Sequence, residues 1–117
     1  MNFKIIEYQT DEYQEMLALR TRILREPLGL IFTDEDIKMD KDDMLLGLIL
    51  PEKQKMVACC ILTRIDDKVV KMRQMAVDTD VQKSGLGTSM LSFAEYVAER
   101  EGFEKIVLHA RKVAVDF

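Results

Sequence analysis

Hydrophobic and polar positions along the first 30 residues follow the period of a strand and then that of a helix. Phe3–Tyr8 alternates between the two kinds of position, as a strand with one buried face does. Thr10 or Asp11 can cap a following helix, and Pro27 and Gly29 bring it to an end. The side chains that recur at helical spacing between these limits are Tyr13, Met16, Leu17, Arg20, Ile23 and Leu24. The sequence therefore predicts a strand followed by a helix.

Three apolar runs in the middle of the chain predict three consecutive strands. An acidic stretch, Thr33–Lys38, comes first and has the composition of a short helix or turn. Met44–Leu50 is a compact apolar run, and Met56–Ile65 and Val69–Val77 follow it. Only the polar residues 66–68 separate the last two runs, which is typical of a hairpin. We expect these strands to be antiparallel.

The C-terminal third predicts a helix and a further strand. Apolar side chains lie on one face of the helix at Leu86, Met90, Phe93, Ala94 and Val97. Gly102 is a natural end for it, and Ile106–His109 reads as a short strand. A helix that crosses between two strands makes them parallel. Val113–Val115 resembles the opening of another helix. The predicted fold is α/β of the α+β kind, with a mixed, mostly antiparallel sheet flanked by helices.

Composition narrows the class of protein. The 117 residues predict one domain, 1–117, and 48% hydrophobic with 32% charged residues is typical of a globular chain. A net charge of −4 argues against a nucleic-acid surface. We see no apolar run that could cross a membrane and no secretory signal, and we expect a cytoplasmic protein. The adjacent Cys59 and Cys60 lack metal-ligand spacing and are expected to be buried, so no metal site is predicted.

Two glycines lie where a strand gives way to a helix, at Gly85 and Gly87. Glycine is costly in a helix, so two of them suggest that something approaches the backbone closely. The first amides of a helix have no partners within it and form an anion site. A dinucleotide fingerprint would need a third glycine where Met90 stands, and the residues of a phosphate-binding P-loop are absent. A strand-to-helix turn without a ligand remains an alternative.

The segment Gln82-x-x-Gly85-x-Gly87 resembles the acetyl-CoA loop of the GNAT superfamily of N-acetyltransferases. It follows a strand that ends in Met75-Ala76-Val77 and precedes an amphipathic helix, in the order of that fold. The stretches 24–29 and 71–77 are similar to those of a bacterial subgroup of the family. The resemblance implies a transfer of an acetyl group from acetyl-CoA (coenzyme A) to the amine of a small molecule or peptide.

The resemblance also implies roles for particular residues. The residues implied to bind the cofactor are Met75, Ala76, Val77, Gln82, Lys83, Ser84, Gly85, Leu86, Gly87 and Thr88. Amides of the loop would hold the pyrophosphate, and the strand would pair with the pantetheine arm where it splays from 106–109. The Val77 amide is the nearest fit for a group that polarises the acetyl carbonyl. The amine would enter beside the loop that contains Arg25, Leu28 and Gly29.

The chain departs from the family pattern near its C-terminus. Family members continue after the fifth strand with a helix that carries a tyrosine, often the acid for the CoA thiolate, and then two more strands. Here that tyrosine would come just after Phe117, so the predicted fold lacks the last helix and two strands. The catalytic acid and base are therefore unknown, although His109 is a weak candidate. The alternative is an impaired CoA-binding module, or a structural remnant that forms a homodimer through an exposed sheet edge.

Overall fold

The computed structural model describes residues 2–52, 55–79 and 85–108, together with the backbone of 113–116. Six strands and three α-helices occupy these residues. They are β1 Asn2–Ile6, α1 Asp11–Arg20, α2 Asp34–Met39, β2 Met44–Leu50, β3 Lys55–Arg64, β4 Val69–Val77, α3 Leu86–Arg100, β5 Lys105–Leu108 and β6 Val113–Asp116. The predicted elements are confirmed within one or two residues, except for the last element and for the end of the first helix, where α1 gives way to other helical turns after Arg20.

The strands form one sheet in the order β1-β2-β3-β4-β5-β6. Neighbouring strands are antiparallel except β4 and β5, which are parallel because α3 carries the chain from one to the other. The predicted hairpin at 66–68 is confirmed, with the Asp66 carboxylate accepting hydrogen bonds from the Lys68 and Val69 amides. The mixed, mostly antiparallel sheet predicted from the sequence is therefore the fold.

Each face of the sheet is covered by one long helix, which gives two cores. Met90, Ala94 and Val97 of α3 pack on one face. The other face is covered by α1, whose buried side chains include Tyr13 and Met16. Cys59 and Cys60 belong to opposite cores, because adjacent side chains of a strand point to opposite faces. Among the described residues no helix is long and apolar enough to cross a membrane.

The first helix changes its geometry before it ends. The Thr10 hydroxyl caps α1 by accepting a hydrogen bond from the Tyr13 amide. The chain stays helical beyond α1, but Thr21–Arg25 is a π-helical turn and Glu26–Leu28 a 3₁₀ turn. Pro27 lies in this last turn, where it removes a backbone donor, and Gly29 ends it with a φ of 71°. The predicted end is confirmed, and the irregular turns bring Leu24 and Arg25 to the edge of β4.

A bulge interrupts β4 at Gln74 and Met75. Arg73 pairs with Ile61 and Ala76 pairs with Cys59, so two residues of β4 lie opposite one residue of β3. Gln74 has a φ of 56°, in the left-handed region that residues other than glycine rarely occupy. The extra residue reverses the order in which the next side chains face the two cores. Ala76 consequently packs with the α1 core and Val77 against the α3 core.

The prediction of a helix opening at residues 113–115 is wrong. Val113–Asp116 is strand β6, and it pairs antiparallel with β5 from Leu108↔Val113 to Lys105↔Asp116. The physical reason is that β5 offers a row of backbone donors and acceptors at its edge, whereas a new helix would have to be nucleated. Alternating β-branched residues favour the strand further. The edge of β5 that was expected to be exposed is therefore covered over these four pairs.

Candidate active site

β4 extends beyond its pairing with the described residues of β5. That pairing runs from Val69↔Lys105 to Met72↔Leu108, while β4 continues as far as Val77. Asp78 donates its amide to the carbonyl of Val57 on β3, at 2.8 Å. Because successive residues of a strand direct their amides to opposite sides, the Val77 amide is directed away from β3. The splay predicted between these two strands would begin after Leu108, outside the described residues, and stays a prediction.

The N-terminus of α3 lies beside the end of β4. Gly85 is its N-cap residue, with a φ of 77°, and the first turn contains no acidic side chain and no side-chain cap bond. A Cβ added to Gly85 would have no neighbour within 4 Å, and one added to Gly87 would meet only Val77 Cγ2, at 3.9 Å. Packing in the described residues therefore does not require glycine at position 87. The first amides of α3 have no partners within the helix, and amides in this position can bind a phosphate group.

A cleft of about 440 Å³ lies beside residues 72–75 of β4. Its volume lies in the range of small-molecule sites. Both apolar and polar side chains line it. They are Leu24, Arg25, Met72, Arg73, Gln74, Met75 and Leu108. The cleft is therefore formed jointly by the irregular turn after α1, the bulge in β4 and the last paired residue of β5.

Asp40, at the C-terminal end of α2, links Arg73 at the cleft to buried side chains of α1. Its Oδ2 atom accepts hydrogen bonds from the Tyr13 hydroxyl at 2.7 Å and from Arg20 Nη1 at 2.8 Å. Its Oδ1 atom accepts one from Arg73 Nη2 at 3.2 Å, and Arg73 Nη2 also lies 2.8 Å from Asp43 Oδ2. Burial, followed by the bond to Asp40, raises the pKa of Tyr13, so its phenol stays protonated. The position of Arg73 at the cleft is fixed by this network.

Arg25 is the cation of the cleft without a carboxylate partner among the described residues. Its guanidinium carbon lies 4.5 Å from the centre of the Phe32 ring, and Arg20 lies at the same distance from that ring. The Nε atom of Arg25 is buried without a hydrogen-bond partner in the described part of the chain. The pKa of Asp36 is lowered mainly by hydrogen bonds with Thr33, with a smaller effect from Arg25. Asp36 therefore serves chiefly to complete the capping box of α2, whose N-cap residue is Thr33.

A second buried carboxylate, Asp78, follows β4 directly and precedes the glycine-rich segment. Its side chain is 4% exposed, and Oδ2 lies 2.9 Å from Arg22 Nη2 and 3.3 Å from Lys55 Nζ. These ion pairs join the end of β4 to the helical turn after α1 and to the start of β3. The carboxylate thus anchors the backbone from which the segment leading to α3 departs.

The structure brings together some of the predicted site residues. Met75 lines the cleft beside Arg25, and Val77 lies next to Gly87. Ala76 is buried in the α1 core, so that only its backbone can serve a ligand. Leu86 is also buried and Thr88 is exposed. Leu28 and Gly29 are exposed beside Arg25 without lining the cleft.

Other predicted residues fall outside the described part of the chain. They are Gln82, Lys83, Ser84 and His109. Sequence reasoning missed the role of Gln74, since a bulge leaves no signal in a pattern of apolar residues. It also missed Leu24 and Leu108 as lining residues. No group of three or more metal-ligating side chains is present in the segments described.

Comparison with known proteins identifies the class. Residues 6–117 match the model of the acetyltransferase (GNAT) family, and the chain belongs to that family. The fold and the cleft described above thus define a member of an acetyltransferase family. The predicted cofactor agrees with this, because structural neighbours are solved with acetyl-CoA or CoA bound.

Three solved structures illustrate the similarity in fold. A GNAT-family acetyltransferase from Staphylococcus aureus is 17% identical, with a TM-score of 0.70 over 92% of this chain and 72% of the other. One from Elizabethkingia anophelis with acetyl-CoA bound is 17% identical, with a TM-score of 0.69 over 92% and 63%. A ribosomal-protein-alanine N-acetyltransferase from Escherichia coli is 20% identical, with a TM-score of 0.73 over 92% and 64%. The chain thus spans about two thirds of these proteins.

Proposed function

We propose that this chain is an N-acetyltransferase that uses acetyl-CoA as donor and an amine as acceptor. The observation that carries the proposal is the cleft beside the end of β4, next to the glycine-capped start of α3. The end of β4 lines this cleft at Met75 and contacts the first turn of α3 at Val77. Acetyl-CoA has an extended pantetheine arm at one end and phosphate groups at the other, and this arrangement can accommodate both.

The donor's phosphates would lie against the first turn of α3. In our proposal the amides near Gly85 and Gly87 bind the pyrophosphate, with Gln82, Lys83, Ser84, Leu86 and Thr88 in the same segment. The absence of an acidic side chain from the first turn of α3 supports this, since a carboxylate would compete for the amides. The space in front of Gly87 supports it too, because no described protein atom fills it.

The reactive end of the donor would lie along the end of β4, beyond its pairs with β5. Backbone groups of Met75, Ala76 and Val77 would pair with the pantetheine arm as an added strand does. In our proposal the Val77 amide donates to the acetyl carbonyl oxygen, on which negative charge develops. Transfer forms a C–N bond to the amine and breaks the C–S bond to CoA, and the proton lost by nitrogen ends on the thiolate. The residues that move this proton are not assigned.

Thermal unfolding with acetyl-CoA tests the proposal. The donor is expected to raise the melting temperature of the wild-type chain, because a ligand that binds only the folded state stabilises it. Gly87→Leu should remove the shift by filling the space in front of α3. Ser92→Leu is the matched control, because Ser92 is exposed on the same helix, and it should keep the shift. A wild-type chain that millimolar acetyl-CoA does not stabilise would refute the proposal.

Release of free CoA thiol then separates an enzyme from a CoA-binding module. An acetyltransferase should release thiol in proportion to an added amine, whereas a binding module should be stabilised by acetyl-CoA without amine-dependent release. The acceptor panel should include small amines and peptide N-termini, since both kinds of acceptor fit the family.

A further inference from the structure

The cleft beside β4 carries more positive than negative charge. Three guanidinium groups surround it or support it, those of Arg20, Arg25 and Arg73. The carboxylates that contact these groups within the described residues are those of Asp40 and Asp43. Within these contacts, three positive and two negative charges leave one positive charge. It lies on Arg25, because the other two guanidiniums are paired and Arg25 forms no ion pair within the described residues. The pKa of Asp36 is lowered mainly by hydrogen bonds in the capping box of α2 and only slightly by Arg25 and Arg20, and Asp36 forms no ion pair with either arginine in the described part of the chain.

The two carboxylates are not available to an acceptor. Asp40 is wholly buried, and both of its oxygens already accept hydrogen bonds. Asp43 is bound to Arg73 at 2.8 Å. The cleft lining itself contains no acidic side chain among the described residues. A polycationic acceptor would meet unpaired Arg25 and no carboxylate to balance it, which is unfavourable in a partly desolvated site.

Two polar atoms at the cleft have no hydrogen-bond partner within the described residues. One is Arg25 Nε, a donor, and the other is Gln74 Oε1, an acceptor. Buried polar atoms are seldom left unpaired, so each is a candidate to contact a ligand. Both residues line the same cleft. A ligand that satisfies them offers an anionic acceptor group to Arg25 and an N–H donor to Gln74.

We infer that the acceptor is an amine that also carries a carboxylate, such as a free amino acid, and that Arg25 binds this carboxylate. The planar guanidinium of Arg25 suits a carboxylate because it can offer two parallel N–H donors. Gln74 Oε1 accepts a hydrogen bond from the amine and turns its nitrogen toward the end of β4. The bulge, which holds Gln74 at a φ of 56°, sets this orientation. The inference rests on the proposed function and specifies its substrate.

The experiment compares amino acids with their carboxamides as acceptors for acetyl-CoA, with release of CoA thiol as the readout. The two series present the same side chain and differ in the negative charge. The amine of a carboxamide also has the lower pKa and is more often neutral, so a preference for carboxylates would have to overcome this advantage of the carboxamides. The wild-type enzyme should prefer the carboxylates by about tenfold or more, because a charge-assisted pair in a partly buried site is strong. This comparison needs no variant and so does not depend on the folding of a mutant.

Variants of Arg25 test whether this side chain causes the preference for carboxylates over carboxamides. Arg25→Gln should raise KM for the carboxylates by about tenfold or more and leave that for the carboxamides nearly unchanged, while Arg25→Lys should restore part of the loss. Arg100→Gln is the matched control, because Arg100 is exposed at the far end of α3 and contacts Tyr96. Gln74→Ala should raise KM for both series, because the amine is common to both.

The outcomes separate this inference from the proposed function. If acetyl-CoA does not stabilise the wild-type chain, both fail. If it does, the inference alone is overturned when the carboxamides react as well as the carboxylates, when no carboxylate-bearing amine is acetylated, or when Arg25→Gln keeps the wild-type preference. A preference for carboxylates that disappears in Arg25→Gln and partly returns in Arg25→Lys supports it.

Discussion

Arg20 and Asp40 form an ion pair that is almost entirely removed from water. Arg20 Nη1 lies 2.8 Å from Asp40 Oδ2, and the two side chains are 1% and 0% exposed. The pair joins α1 to the end of α2, and through Arg73 it reaches the bulged part of β4. A charged contact in the core thus supports the wall of the cleft.

Asp40→Asn should be strongly destabilising. Removing one partner leaves buried guanidinium charge without compensation, which costs about 3–5 kcal/mol. Denaturant unfolding would measure this as a lower midpoint with an unchanged slope. Asp67→Asn is the control, because its side chain is 97% exposed, and its change should stay within about 0.5 kcal/mol. A stability loss for Asp40→Asn no larger than that of the control would contradict the role given to the pair.

Gly87→Ala should separate stability from cofactor binding. An added Cβ meets only ordinary contact with Val77, and alanine is the better helix former, so the free protein should gain a few tenths to about 1 kcal/mol. Affinity for acetyl-CoA should fall by about tenfold, since the methyl group occupies space proposed for the pyrophosphate and crowding a filled site costs about 1–3 kcal/mol. Calorimetric titration and thermal unfolding of the same sample would measure both quantities.

Gly85→Ala should lower the stability of the free protein, in contrast to Gly87→Ala. Gly85 has a φ of 77°, so alanine there should cost about 1–2 kcal/mol even though no atom of the described residues lies within 4 Å of the new Cβ. The two substitutions should therefore change the melting temperature in opposite directions. If both stabilise the chain, the left-handed cap at the start of α3 is wrong.

Asp78→Asn should loosen the end of β4. The substitution removes the charge that holds Arg22 and Lys55, and the buried site should lose about 1–3 kcal/mol. Because Asp78 precedes the segment that leads to α3, hydrogen exchange of the amides near Gly85 should become faster than in the wild type. Unchanged exchange there would show that Asp78 does not anchor this segment.

The buried thiols should make the protein less stable at alkaline pH. Burial raises the pKa of Cys59 to about 12, and it also raises the pKa of Cys60. The folded state therefore holds these protons more tightly than the unfolded state. Their contribution to stability is complete below the ordinary thiol pKa and is lost as pH rises from about 9 toward 12. Unfolding in urea across this pH range measures how steeply the free energy of unfolding falls with pH. Cys59→Ala should make this fall shallower.

The same burial has a consequence for the thiol-release assay. Both cysteines are 0% exposed, so a thiol reagent should label neither in the native protein at neutral pH and both after unfolding. Labelling of the native chain at the rate of a free thiol would contradict this. The proposed assay should then report CoA alone.

The sequence by itself determined the elements and their order, because apolar periodicity follows directly from which faces are buried. Met44–Leu50 and Val69–Val77 are strands with the predicted bounds, and the two glycines lie at the start of α3 as expected. The edge dimer, the cytoplasmic location and the roles of Gln82 to Ser84 stay predictions.

The tertiary structure decided what depends on contacts between distant residues. The bulge at Gln74 comes from the register between β3 and β4, and β6 forms because β5 offers an open edge. The network around Asp40 joins residues that are 20 to 33 positions apart. No local pattern encodes such distances, so the charge of the cleft, and with it the inferred class of acceptor, emerged only from the folded chain.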